Sequence, residues 1–166
     1  MDSGWVIDQG LTNFGLVMFI LAVICILLHY LFSKNKTLSE ITFRWIALFP
    51  LGFAGIYMAV MHVFFSEIAA STIGWASSPF QFEVGMADLA IGVLGILSFN
   101  ANYGFRSATT IAALIWLWGD AFGHIYQMYT HQNFAIGNAG SWFWMDILVP
   151  LILIICIRNM RVVNRF

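Results

Sequence analysis

The chain has 166 residues, of which 61% are hydrophobic and 9% charged, with a formal net charge of −1. Soluble domains carry roughly 25% charged residues, so this composition excludes a water-soluble globule and points to lipid as the main solvent. The charge balance excludes an electrostatic nucleic-acid binder, and the length leaves room for a single transmembrane domain over residues 1–166.

The opening Met1-Asp2-Ser3-Gly4 has no cationic stretch ahead of the first apolar run and no small-residue cleavage site after it, so that run reads as a retained helix. Apolar runs cover residues 11–32, 45–66, 79–99, 107–129 and 141–157. Each is close to the 20 or so residues that cross a bilayer, which predicts an all-α polytopic bundle of about five transmembrane helices. The runs are too long, and lack the alternation, for the strands of a membrane barrel.

Lys34, Lys36 and Arg44 follow the first run, Arg106 the third, and Arg158, Arg161 and Arg165 the fifth. All the basic residues therefore fall on one side, which predicts an amino terminus outside and a carboxyl terminus in the cytoplasm. Trp5, Trp75, Trp142 and Trp144 then lie near the outer interface and Trp45 near the inner one. Ser78 as N-cap, Pro79 at the first helical position and Gln81 placed for a capping box punctuate the start of the third span. Asn35-Lys36-Thr37 spells a glycosylation sequon, but on the cytoplasmic side, where that modification does not occur. Cys25 and Cys156 both fall in cytoplasmic halves of their helices, which argues against a disulfide.

Ionisable residues inside a bilayer cost about 2.5 to 3.5 kcal/mol each on insertion scales, so each needs water or a partner. With a rise of about 1.5 Å per residue, His62, Glu83, His124 and Asp146 fall at comparable heights in the outer half. Asp88 and Asp120 fall about a turn deeper. In the third span Gln81, Gly85, Asp88, Gly92 and Gly95 form a small or polar stripe that lets another helix approach, within the chain or between chains. In the fourth span Asp120 and His124 share a face, flanked by Gly119 and Gly123, and Gln127 and His131 continue the stripe outward. Met58 and His62 share a face of the second span. Glu67, Asp8 and His131 read as solvated, and His29 as an interfacial or packing residue.

Two readings of Asp120 and His124 are open: a hydrogen-bonded pair that fixes packing, or two metal ligands completed by Glu83, Asp88, His62 and Asp146. Carboxylate and imidazole suit a divalent transition metal such as zinc, iron or manganese, and a cation would neutralise carboxylates that repel one another. Glu83 also suits the positive end of its helix. Met18, Met58, Met61, Met86, Met128 and Met145 crowd the same half; thioethers suit copper, but packing is the better account. There is no Cys-x-x-Cys pair, phosphate-binding glycine loop or nucleophile elbow.

The run Gly74-Trp75-Ala76-Ser77-Ser78-Pro79-Phe80-Gln81-Phe82-Glu83-Val84-Gly85, with Gly119-Asp120-Ala121-Phe122-Gly123-His124 and Asn138-Ala139-Gly140, resembles a family of small bacterial membrane proteins of unknown function. More distantly, the size and the acidic outer-half helix resemble the DoxX-like membrane proteins, which typically have four spans. The resemblance implies the bacterial inner membrane and carries no reaction.

Three function classes follow. The first is a metal-loaded carboxylate and histidine site, with enzymatic chemistry left open. The second is a proton-coupled or small-solute transporter, in which Asp88, Asp120 and His124 are protonated in turn. The third is a non-catalytic module whose cavity holds a lipid, a quinone or a partner helix. Membrane lipid is the expected surrounding partner, and glycine-lined helix faces allow a homo-oligomer.

Overall fold

The computed structural model describes residues 10, 12–33 and 36–163, with side chains to residue 160. The expectations for Met1 to Gly4, Trp5, Asp8, Lys34, Asn35 and Arg165, and for the side chain of Arg161, lie outside these residues. The chain runs through α1 (Phe14–Phe32), α2 (Leu38–Ile46), a π-helical turn (Ala47–Phe53), α3 (Ala54–Phe64), α4 (Ser66–Ile73), α5 (Phe80–Ser98), α6 (Tyr103–His131), α7 (Ile136–Ala139) and α8 (Ser141–Val163). All elements among the described residues are helical.

Four stretches are long and apolar enough to cross a membrane: Phe14–Phe32, Leu38–Phe64, Phe80–Ser98 and Ile136–Met160. The predicted run 107–129 falls on α6, which at 29 residues is the longest helix but is diluted by Arg106, Thr109, Thr110, Asp120 and His124. Much of α1 faces outward, with Ile20, Leu27, Leu31 and Phe32 exposed as a lipid-facing surface requires.

Two helix starts differ from the sequence expectation. The second span begins at Leu38 rather than near Trp45, because Thr37 Oγ1 accepts a hydrogen bond from Glu40 N at 3.2 Å and caps α2. The charges that marked a boundary in the sequence pair along the helix instead, Arg44 Nη2 meeting Glu40 Oε1 at 2.9 Å. The capping box expected at Ser78 and Gln81 does not form. Backbone bonds from Gln81 N to Ser78 O and Phe82 N to Pro79 O tighten the first turn of α5, and the Gln81 side chain turns to His62.

Pro50 sits inside the second span. It has no N–H to give and its ring crowds the carbonyl four residues back, which interrupts the α-helical bonding at this point. The helix widens over Ala47–Phe53 into a π-turn, closed by Ala54 N bonding Phe49 O.

The glycine stripe of α5 packs against this second span of the same chain. A Cβ on Gly92 would sit 2.8 Å from Ile56 N and 2.9 Å from Gly52 O, and one on Gly95 would sit 2.7 Å from Ala47 O. Backbone meets backbone there, as only small residues allow.

Arg44 and Arg106 lie together at one end of the bundle, with Glu40 between them, so this end is called basic. Its half holds the dense core: Phe43, Ile46, Ala47, Ala113, Leu153 and Met160 are buried together. Arg106, only 5% exposed, donates to Ser98 O at 3.1 Å and Phe99 O at 2.9 Å, and its guanidinium lies 5.2 Å from the Phe43 ring centre. It thereby satisfies carbonyls at the carboxyl end of α5, where a cation is favoured. Ser98 Oγ donates to Thr109 Oγ1 at 2.9 Å and pins α5 to α6.

Candidate functional site: a carboxylate-lined cavity

Beyond that core, the half away from the basic end encloses a cavity of about 720 Å³. Met58 and His62 of α3, Gln81 and Asp88 of α5, Trp116, Asp120 and His124 of α6, and Asp146 of α8 all line it. Five of the six residues singled out in the sequence thus meet at one space: His62, Asp88, Asp120, His124 and Asp146. The sixth, Glu83, is exposed on α5 and does not line the cavity. Two residues separate it from Gln81, about 200° of helical turn, so it lies opposite the stripe that carries Gln81 and Asp88.

Helix α6 supplies a column. Trp116, Asp120 and His124 recur every fourth residue on one face and span about 12 Å along the axis. At its lower rung Trp116 Nε1 donates to Asp88 Oδ1 at 2.9 Å, bridging α6 to α5. At its upper rung His124 lies between Asn138 and Asp146. Asp120, between them, receives no hydrogen bond from a described residue. The glycines beside it leave the wall bare: a Cβ on Gly119 or Gly123 would meet nothing within 4 Å.

Asn138 sets the proton on His124. Fully buried, it donates its amide to His124 O at 3.3 Å and Asn133 O at 2.8 Å. That fixes which end of the amide is oxygen, and Oδ1 faces His124 Nδ1 at 2.8 Å. Since a carboxamide oxygen only accepts, Nδ1 carries the hydrogen. Nε2 points to Asp146 Oδ2 at 3.6 Å, an ion-pair distance too long for a hydrogen bond. Asp146 is 9% exposed and receives no hydrogen bond, yet no deeply buried side-chain oxygen among the described residues lacks a partner. Its open oxygen surface therefore faces the cavity that it lines.

The remaining walls are apolar, mostly aliphatic, with a few aromatic rings among them. Trp142 stacks on Tyr57 with ring centres 6.2 Å apart and planes at 1°, and Tyr57 stacks on Phe14 at 4.4 Å. Trp142 is anchored by Nε1 to Thr12 O at 2.9 Å. Trp75 lies 6.4 Å from the His124 ring. Helices α4 and α7 meet near this end, with Gly137 so close that a Cβ would sit 2.8 Å from Thr72 O.

Among the described residues no group of three or more His, Cys, Asp or Glu side chains is placed to hold a metal ion. The expected ligand set is spread along the column and engaged singly: His62 with Gln81, Asp88 with Trp116, His124 with Asn138. Trp116, Asn138, Gln81 and Tyr57 were not among the site residues expected from sequence. Of these only Gln81 had a readable signal, lying on the polar stripe that it shares with Asp88.

Neither the curated proteins nor the solved structures contain a match to this chain. Residues 12–165, almost the whole length, match a family described as a family of unknown function, DUF6790, and the chain belongs to it.

Proposed function

We propose that this protein is a small-molecule-binding module of the bacterial inner membrane, holding its ligand between helices in the half of the bundle that faces outward. The observation that carries the reading is the cavity of about 720 Å³ into which Asp88, Asp120, Asp146, His62 and His124 converge from four helices. Ligand sites are concave, largely apolar and supplied with a few convergent polar groups, and they fall in the range of about 300–1,000 Å³. Gly119 and Gly123 support it further, because bare helix facing a void is poor packing unless something fills the space.

Orientation and span count belong to the same reading. Arg44, Arg106 and Arg158 gather at the end that would be cytoplasmic by the positive-inside rule, leaving the cavity half outward. Helix α6, about 43 Å long at 1.5 Å per residue, is long enough to serve as a fifth crossing despite its polar face, since that face looks into the cavity. The dense core of the basic half favours holding a ligand over passing it through.

The test is native mass spectrometry of the protein released from membranes in lipid nanodiscs, beside a Gly119→Leu, Gly123→Leu variant that adds bulk to the cavity lining at two positions where a Cβ meets nothing within 4 Å. The wild type should carry a small molecule, or take one up from a broad thermal-shift panel, and the filled variant should not. Identical, ligand-free behaviour of both proteins across the panel overturns the reading.

A further inference from the structure

Charge on the lining narrows the ligand class, given the binding function just proposed. Three carboxylates face the cavity, and every pair among Asp88, Asp120 and Asp146 lies within electrostatic range. Among the described residues no lysine or arginine lines the space. Arg44 and Arg106 lie at the basic end, where Glu40 and the carbonyls of α5 occupy them. Only the imidazoles of His62 and His124 stand on the lining against three carboxylates, less positive charge than those carboxylates need in a low-dielectric site.

Two features separate this arrangement from a cluster of acids that satisfy one another. Asp146 is 9% exposed, accepts no hydrogen bond from a described residue, has His124 Nε2 at 3.6 Å, and turns open oxygen surface into the cavity. Asp120, midway along the column, likewise has no hydrogen-bond partner among the described residues and stands between two glycines with nothing over them. Both acceptors are held ready on rigid helices around a space large enough for an organic molecule. Trp75, Trp116, Trp142 and Tyr57 are among the residues that line the same space. Aromatic faces attract cations, most strongly where water is excluded.

We propose that the ligand is an organic cation with an apolar body, an amine or quaternary ammonium class of molecule. Its charged centre sits between Asp120 and Asp146, and its apolar part lies against the tryptophan and tyrosine walls. An anionic or neutral ligand would leave the three carboxylates with only the His62 and His124 imidazoles against them, and a bare metal ion would find no group of three ligands among the described residues.

The experiment uses two ions of nearly the same shape and opposite charge, tetraphenylphosphonium and tetraphenylborate. Binding to the full chain in nanodiscs is followed by tryptophan fluorescence, with empty nanodiscs subtracting partition into lipid. The phosphonium should bind at least tenfold more tightly than the borate. Asp120→Asn, which removes charge and no hydrogen bond, should erase most of that preference while leaving the thermal transition in place, and Gly119→Leu, Gly123→Leu should abolish binding of both. Equal binding of the two ions, lost in the filled variant, overturns the cation assignment and leaves the cavity reading standing. Binding of neither ion, with zinc alone bound and lost in Asp120→Asn, overturns it in favour of a metal. Binding of nothing overturns both readings.

Discussion

The two ends of this bundle treat charged side chains in opposite ways. At the basic end Arg106 is buried, but its donors meet two carbonyls and its face meets Phe43, so the charge works as a clasp between helices. At the other end the buried Asp146 and the half-buried Asp120 are held without such partners, over a space instead of against a neighbour. The contrast separates polar groups that hold a fold together from polar groups that the fold holds apart. Burial alone does not distinguish them; what each group touches does.

That contrast can be broken experimentally, and the largest effect belongs to the clasp. Arg106→Leu strands two helix-end carbonyls and removes a cation from an aromatic face. It should cost about 3 kcal/mol, taking charge-assisted bonds at roughly 1.5–3 kcal/mol each, and thermal denaturation in detergent should show a lowered transition and poor recovery of monodisperse protein. A stability unchanged in Arg106→Leu would show that the clasp is incidental.

Gly92→Val tests the close approach that lets the two helices share a backbone seam. Its Cβ would press on Ile56 N and Gly52 O, neither of which can rotate away, so a loss of about 1–3 kcal/mol is expected for overpacking. Ser98→Ala removes one buried hydroxyl bond to Thr109 and should cost about 1 kcal/mol. On the cavity side the sign reverses. Gly123→Ala adds a methyl where nothing lies within 4 Å, and should stabilise the helix by about 0.5–1 kcal/mol. If Gly92→Val and Gly123→Ala shift the thermal transition by the same amount in the same direction, the division into a packed half and an open half is wrong.

Much of this contrast was legible in the residues. The stripe of Gln81, Gly85, Asp88, Gly92 and Gly95 has one helical face, and Asp120 with His124 has another, so periodicity alone brought them inward. Glu83 shows where depth without phase misleads: its height suits the cavity, but its direction does not. Asn138 could not be found locally, because its role depends on the loop around Ala135 returning against α6, fourteen residues from His124. Trp116 lay inside an apolar run where a tryptophan reads as lipid-facing filler, and only its indole N–H meeting Asp88 gives it a place at the site. The glycines divide in the same way. Gly92 and Gly119 look alike in sequence, and only the neighbour present or absent tells a seam from a void.

The widened turn at Pro50 bears on how one span can serve both ends. A regular helix locks the bearing of every residue to every other, so the face it turns to a core at one end dictates what it shows farther along. By loosening that gearing over Ala47–Phe53, the second span is free to aim Phe43 and Ile46 into the solid half and Met58 and His62 into the hollow one. A single rod then behaves as two independently clocked pieces, with the proline as the joint between them.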